Sequence, residues 1–195
     1  RDIFTLEQYN VYTKYLTRVY VTKKHNPNLE SAELEKRKIF TEYILLIANT
    51  GHRSKELLGT KFGEIYQPPS FTEDERQTHV AMVVRRDNAK TGRERRVIAR
   101  VKKRIDRIIA CYKKLGIKHQ PDDYLFINPL SKDRNHYGRM IMYQRLKKTL
   151  IDSGLQKELD LEKKSISPYS FRHFYCYMRL INHVPIHLLA KNMGT

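Results

Sequence analysis

Three basic residues stand at positions where a turn or a helix end would present them. Arg53 follows the helix-ending Gly51, Lys90 lies at the tip of a basic hairpin, and Arg172 lies in the first turn of a helix. Guanidinium and ammonium groups make strong, charge-assisted hydrogen bonds to phosphate oxygens, and a guanidinium can donate two at once. These residue types indicate chemistry on a phosphate group, provided that the fold brings the three segments together.

The charge of the whole chain points to the same kind of partner. Its 195 residues include 38 lysines and arginines against 21 acidic residues, a formal net charge of +17. Most of the excess lies in residues 85–104 and 131–150. Such an excess favours a polyanion, nucleic acid above all. A membrane surface fits less well as a partner, because the basic helices also carry apolar stripes typical of core-facing helices.

Composition excludes several other classes of protein. Hydrophobic residues make up 40% of the chain, enough for a packed core. The longest apolar run is far shorter than the ~18 residues of a membrane span, and no secretory leader opens the sequence. Cys111 and Cys176 fit no metal-binding spacing and are expected as free thiols. We therefore expect a cytoplasmic protein.

Motifs for metal or nucleotide chemistry are lacking in the sequence. No cluster of acidic residues suggests the two divalent metals of a nuclease, and no phosphate-binding glycine loop suggests nucleotide hydrolysis. We expect neither a metal nor a cofactor.

Hydrophobic periodicity predicts one domain, mainly α-helical with a small antiparallel sheet. A capping box at Thr5 predicts the start of the first helix, and Gly51 predicts the end of the second. Met140, Ile141, Leu146 and Leu150 mark a later basic helix. The predicted helices are 5–20, 32–48, 54–58, 101–116, about 140–150, 170–181 and 185–192. The predicted strands are 79–86 and 95–100, joined by a hairpin loop at 87–94, and the predicted polar connections are 21–29, 68–77 and 153–167.

Three motifs now line up in order along the chain. Residues 49–58 (NTGHRSKELL), 89–96 (AKTGRERR) and 168–173 (PYSFRH) resemble the signatures T-G-x-R-x-x-E-L, K-T-G-x-x-R and H-x-L-R-H of the tyrosine recombinases, the phage integrase family. Residues 188–195 (LLAKNMGT) are similar to that family's segment ending in L-G-H. The resemblance covers nearly the whole chain. It implies an α+β fold of the DNA breaking-rejoining type, with residues 1–195 as one catalytic domain.

The resemblance implies metal-free transesterification of DNA. In that family a tyrosine hydroxyl attacks the scissile phosphate, leaving a 3′-phosphotyrosyl bond and a free 5′-hydroxyl. Arg53 and Arg172 match the two phosphate-binding arginines, and Lys90 matches the general acid for the 5′-oxygen. The residues expected to bind the flanking DNA backbone are Arg85, Arg86, Arg93, Arg95, Arg96 and Lys102. Glu56 and His173 are expected to be structural, and His52 to be solvated or capping.

The chain also departs from the family pattern. Tyr169 stands where the family usually has histidine; it can donate a hydrogen bond to a phosphate oxygen but is a poor base near neutral pH. Thr195 stands where the family has histidine or tryptophan. The nucleophilic tyrosine is expected about nine or ten residues beyond Thr195, and a DNA-clamping domain is expected to precede the chain.

The resemblance implies double-stranded DNA as the partner, and a nucleoid-associated location in a bacterial, archaeal or viral-host cell. By family analogy, four protomers act together on two DNA sites. Two alternatives stay open. One is a non-catalytic module that binds double-stranded DNA on the recombinase fold, which the departures at Tyr169 and Thr195 favour. The other is an enzyme like the type IB topoisomerases, with the same chemistry but DNA relaxation as its outcome.

Overall fold

The computed structural model describes residues 2–129, 131–133 and 135–194. Within them the fold is mainly α-helical with one three-stranded antiparallel sheet, ordered β1-β2-β3, which confirms the predicted fold class. The helices are α1 (Leu6–Tyr15), α2 (Ser31–Thr50), α3 (Ser54–Leu58), α4 (Glu73–Thr78), α5 (Lys102–Lys114), α6 (Arg139–Asp152), α7 (Leu155–Leu161), α8 (Pro168–Ile181) and α9 (Ile186–Met193). The strands are β1 (Ile65–Tyr66), β2 (Val80–Val84) and β3 (Arg95–Ala99).

Helix α2 forms the centre of the molecule. Every residue from Ile39 to Ala48 is buried, and both α5 and α8 pack against the helix. Gly51 ends α2 in the left-handed conformation, with a φ of 70°, as its position after the apolar run predicts. A Cβ atom on Gly51 would lie 2.6 Å from the ring of Tyr175, so this turn also needs the absence of a side chain. Arg53 lies two residues after this turn.

The first helix begins where the sequence predicts. The hydroxyl of Thr5 accepts a hydrogen bond from the main-chain N–H of Gln8, and the Gln8 side chain accepts one from the N–H of Thr5. After α1 the helix continues as a π-helical segment, Leu16–Tyr20, so its last residue matches the predicted end.

The predicted hairpin is present, with one strand more than expected. Strands β2 and β3 pair from Val80 opposite Ala99 to Val84 opposite Arg95. This register leaves residues 85–94, hereafter the hairpin loop, outside the sheet. The two residues of β1 pair with Met82 and Ala81 and are too short to show an alternating pattern in the sequence.

Two segments predicted as polar connections contain helices, and those predictions are wrong. In residues 153–167, helix α7 buries Leu155 and Leu159, whose i,i+4 spacing is hidden among charged residues. In residues 68–77, α4 begins at a capping box formed by Thr72 and Glu75.

Helix α6 also differs in detail from its prediction. Met140 and Ile141 are exposed, and the buried apolar face consists of Met142, Leu146 and Leu150. The buried stripe begins at Met142, two residues after the predicted start at Met140, because Leu146 and Leu150 share their face with the residue at i−4.

The described ranges include no helix with the length and apolar character needed to cross a membrane. Cys111 and Cys176 are free thiols, as predicted.

Candidate active site

A polar cleft of about 430 Å³ brings together three of the predicted catalytic residues. Arg53 comes from the start of α3, Lys90 from the hairpin loop and Tyr169 from the first turn of α8. These residues lie far apart in sequence and on three different elements. The rest of the lining is Asp2, Ser165, Ser167, Ser170 and His173.

Arg53 is held at the start of α3 by Glu56. Its main-chain N–H donates to Glu56 Oε2 at 2.9 Å, and its Nη1 donates to Glu56 Oε1 at 2.8 Å. The other terminal nitrogen, Nη2, makes a longer bond of 3.3 Å to the carbonyl of Gly194. Glu56 therefore fixes Nη1, whereas the longer bond of Nη2 is the one that a ligand can most readily replace.

Glu56 is buried and ionised. Burial by itself would raise its pKa, but hydrogen bonds from Arg95 and Arg53 outweigh that effect and lower the pKa to about 2. Arg95 donates to both carboxylate oxygens, at 2.6 and 3.2 Å. Arg172 Nη1 lies 3.9 Å from Glu56 Oε2. A single carboxylate thus faces three guanidiniums, which leaves the cluster with a net positive charge.

Arg172 is buried behind the cleft and is not among its lining residues. Only 1% of its surface is exposed. Its Nη1 donates to the carbonyl of Gly51 and its Nη2 to the carbonyl of Met193 at 2.8 Å. Burial and the neighbouring charge of Arg53 lower the pKa of Arg172. The guanidinium therefore joins the end of α2 to the end of α9, and its carbon atom lies 5.9 Å from the ring centre of Tyr169.

Tyr169 and His173 lie one turn apart on α8 and both line the cleft. Their rings meet edge to face, with centroids 4.6 Å apart. The sequence predicts a structural role for His173, whereas its side chain is partly exposed and lines the cleft. The i,i+4 spacing from Tyr169 was the signal that could have placed it there. The predicted site residue Thr195 lies outside the described residues.

His52 is also placed differently from its prediction. It is fully buried, and its Nδ1 lies 2.8 Å from the hydroxyl of Thr50. Burial and the charge of Arg95 lower its pKa to about 3, so the imidazole is neutral. The prediction of a solvated or capping His52 is wrong; the ring packs beneath the arginine cluster.

The six residues predicted to bind DNA fall into two groups. Arg86, Arg93 and Arg96 are exposed. Arg93 and Arg96 line a second groove of about 880 Å³ that continues to Lys191 on α9, and Arg95 also borders this groove. The other three, Arg85, Arg95 and Lys102, are engaged within the protein. Arg85 bonds Glu64, Asp87 and the carbonyl of Gly59, and Lys102 pairs with Asp106 at 2.8 Å.

Arg95 belongs to the scaffold of the site. Its side chain is only 8% exposed, and besides Glu56 it contacts the carbonyl of Asn192 at 3.0 Å. Strand alternation explains the difference from Arg96. Arg95, Val97 and Ala99 share the inward face of β3, while Arg96 points to solvent. The sequence shows this alternation, but a run of basic residues is typical of a solvent-exposed surface. Arg95 was therefore predicted to be exposed with its neighbours.

The described residues include no group of three or more His, Cys, Asp or Glu side chains placed to hold a metal ion. The charged groups that the cleft offers to an anion are those of Arg53 and Lys90, supported by Arg172 behind them. This arrangement can bind a phosphate group and supply a proton beside it.

No family model matches the sequence, and no curated protein matches it. Solved structures do match. The site-specific recombinase XerH bound to its difH substrate superimposes on all of this chain and 47% of its own, with a TM-score of 0.68 and 15% identity. The XerA recombinase gives a TM-score of 0.61 at 17% identity over 56% of its chain. The Tn1549 transposon integrase, in complex with transposon right end DNA, gives 0.59 at 14% identity over 58% of its chain.

The chain thus spans about half the length of these structures. At such low identity the similarity shows the fold. The chain has the fold of tyrosine recombinase catalytic domains, as the resemblance of its motifs implies.

Proposed function

We propose that this chain is the catalytic domain of a site-specific DNA recombinase, which cleaves and rejoins strands through a 3′-phosphotyrosyl intermediate without a metal. One observation carries the proposal. Arg53, Lys90 and Tyr169 share a single cleft, and Arg172 is joined to Arg53 through Glu56, on a fold whose solved examples include recombinases and an integrase in complex with DNA.

The scissile phosphate would lie in the cleft against Arg53. Nη1 of Arg53 is fixed by Glu56, which leaves Nη2 to exchange its 3.3 Å bond to Gly194 for a phosphate oxygen. The Tyr169 hydroxyl would donate to a second oxygen. Donors fixed in place before the reaction stabilise the additional negative charge of the transition state. Each such donor typically contributes about 3–4 kcal/mol.

The bond changes balance without an added reactant. The tyrosine oxygen forms a bond to phosphorus and releases its proton to solvent, while the bond between phosphorus and O5′ breaks. O5′ leaves with the electron pair and takes a proton from the ammonium of Lys90. Rejoining reverses these steps, so the energy of the phosphodiester is kept in the phosphotyrosyl bond.

Duplex DNA would extend from the cleft over the exposed basic residues. Arg86, Arg93 and Arg96 lie on or beside the hairpin that carries Lys90, and Lys191 borders the same groove as Arg93 and Arg96. Their part is electrostatic and independent of sequence. We also propose the nucleophile beyond Thr195, the preceding DNA-clamping domain, the assembly of four protomers and the cytoplasmic, nucleoid-associated location on the resemblance alone.

A second candidate is a module that binds double-stranded DNA without cutting it. Two observations favour it. Tyr169 occupies the usual position of a histidine base, and both terminal nitrogens of Arg172 are bonded to main-chain carbonyls of the protein itself.

Covalent trapping separates the two candidates. The full-length protein is incubated with a pool of nicked suicide duplexes carrying randomised sequence, in the presence of a chelator. We expect an adduct that survives detergent and disappears on protease treatment. Arg53→Ala is the inactive control. Retarded DNA without any covalent adduct would support the binding module instead.

A further inference from the structure

The hairpin loop is fixed to α3 by a buried asparagine. Asn88 lies two residues before Lys90, and its Nδ2 donates to the main-chain carbonyl of Glu56 at 2.8 Å. Glu56 is also the residue whose carboxylate holds Arg53. The loop that carries Lys90 and helix α3, which Arg53 precedes, therefore meet at Glu56.

Gly59, directly after the last residue of α3, leaves the space that the Asn88 side chain occupies. A Cβ atom on Gly59 would lie 2.5 Å from Nδ2, 2.7 Å from Oδ1 and 2.8 Å from Cγ of Asn88. The φ of Gly59 is −82°, which any residue adopts, so its backbone does not require glycine. What it requires is space, because the Asn88 amide lies directly against it.

Further contacts hold the backbone on both sides of Lys90, including a hydrogen bond of 3.1 Å from the N–H of Gly92 to the carbonyl of Ala89. Ala89 is buried against Val84 and Val97. The N–H groups of Asn88 and Ala89 both donate to the carbonyl of Arg85, at 3.1 and 2.9 Å. Lys90 itself is exposed in the cleft. Two residues of extended chain span at most about 7 Å, so fixing Asn88 confines the position from which Lys90 reaches the cleft.

We infer that Asn88 and Gly59 form a lock that positions Lys90 beside Arg53, and so determines how well the ammonium can protonate the leaving oxygen. This inference rests on the proposed function. Asn88 is a positioning residue, because it acts through Lys90 and does not line the cleft. In the step concerned, the P–O5′ bond breaks, O5′ receives the proton of Lys90, and the lysine becomes a neutral amine.

A change of leaving group tests the lock directly. The full-length protein is given two nicked duplexes of the same sequence, one ordinary and one with sulfur in place of the bridging O5′. A thiolate is a far weaker base than an alkoxide, so the P–S bond breaks without a proton donor. The measured quantity is the ratio of the two cleavage rates within one preparation, from which the fraction of folded protein cancels.

The variants are Asn88→Ala, Gly59→Ala and the double substitution, with Lys90→Ala as the reference for complete loss of the acid. General acid catalysis contributes about 10²–10⁴-fold. For Asn88→Ala and Gly59→Ala we expect cleavage of the ordinary duplex to fall by roughly 10–100-fold, with the sulfur duplex within about threefold of wild type. The double variant should be no slower than Asn88→Ala, because both changes break one contact.

Thr149→Val is the matched control for a buried defect elsewhere. It removes the 2.6 Å hydrogen bond to Tyr12, away from the cleft, and should leave the rate ratio unchanged. Equal losses on both duplexes in the Asn88 and Gly59 variants, or no loss on either, would overturn the inference. Failure of the wild-type protein to cleave either duplex would overturn the proposed function itself, and this inference with it.

Discussion

Glu56 is the residue on which the arginines of the site depend. It is 1% exposed and contacts Arg53, Arg95 and Arg172. A buried charge is tolerated only when partners compensate for its lost hydration, and here the compensation is mutual. Removing the carboxylate charge would leave two nearly buried guanidiniums, those of Arg95 and Arg172, without their counter-ion.

Glu56→Gln should therefore destabilise the protein in a pH-dependent way. The pKa of Glu56 is about 2 in the folded protein against 4.5 normally. Its contribution is complete above about pH 4.5 and is lost as the pH falls towards 2. We expect wild type to exceed Glu56→Gln by about 3 kcal/mol in free energy of unfolding at pH 7, converging towards pH 2. Urea denaturation of both proteins between pH 7 and pH 2 measures this difference in free energy of unfolding. A constant difference would contradict the assignment, and exposed Glu73→Gln is the control.

At the scale of elements, the sequence predicts those helix starts and helix ends that depend on interactions between nearby residues. The capping box at Thr5 and the left-handed Gly51 correctly place the start of α1 and the end of α2. These features depend on neighbours within a few residues, which the sequence displays directly.

Elements held by distant residues were missed. Helix α7 is tied to α1 by Gln8, which donates to Glu158 at 2.7 Å and to Glu162 at 3.0 Å. Its own sequence is charged and only seven residues long, so tertiary contacts stabilise it and local preference does not. Arg95 is a different case. Alternation along its own strand indicates an inward side chain, and only its partner Glu56, 39 residues away, is hidden from the local sequence.

The exposed arginines on and beside the hairpin should contribute to the salt dependence of DNA binding. Neutralising Arg86, Arg93 and Arg96 to Gln should reduce the slope of log affinity against log salt by about 2–3, because each phosphate contact releases about 0.9 counterion. Fluorescence anisotropy with a short duplex measures the slope. Lys24→Gln, an exposed lysine before α2, is the control. An unchanged slope in the triple variant would mean that this face does not meet the backbone.

At the scale of the whole molecule, the cleft is assembled from segments that span the described chain. Asp2 near its start accepts a hydrogen bond from the N–H of Ser165 at 2.7 Å, beside the residues that lead into α8. Arg53, beside α3, and Lys90, in the hairpin loop, line the same cleft. The motifs predicted which residues would do chemistry, but only the topology shows that Arg53 lines the cleft while Arg172 lies behind it.

Arg53→Ala is accordingly the sharpest test of the assembled site. Loss of one fixed phosphate donor should slow covalent adduct formation by about 10²–10³-fold and leave duplex affinity within about threefold. Lys55→Ala, exposed on the same helix, should behave as wild type. Suicide-substrate kinetics and anisotropy on the full-length protein measure both quantities. Arg172 gives a less direct test, because its loss also breaks the bonds to Gly51 and Met193.

The main-chain carbonyls at the end of α9 orient the arginines of the site. The carbonyls of Asn192, Met193 and Gly194 each accept a hydrogen bond from a different arginine: Arg95, Arg172 and Arg53. Free carbonyls at a helix end carry partial negative charge. These three bonds hold the guanidiniums of Arg95, Arg172 and Arg53 in place around Glu56. On the proposed function, a phosphate oxygen would take the place of the Gly194 carbonyl at Arg53 alone, while Arg95 and Arg172 would keep their carbonyl partners and need no reorganisation.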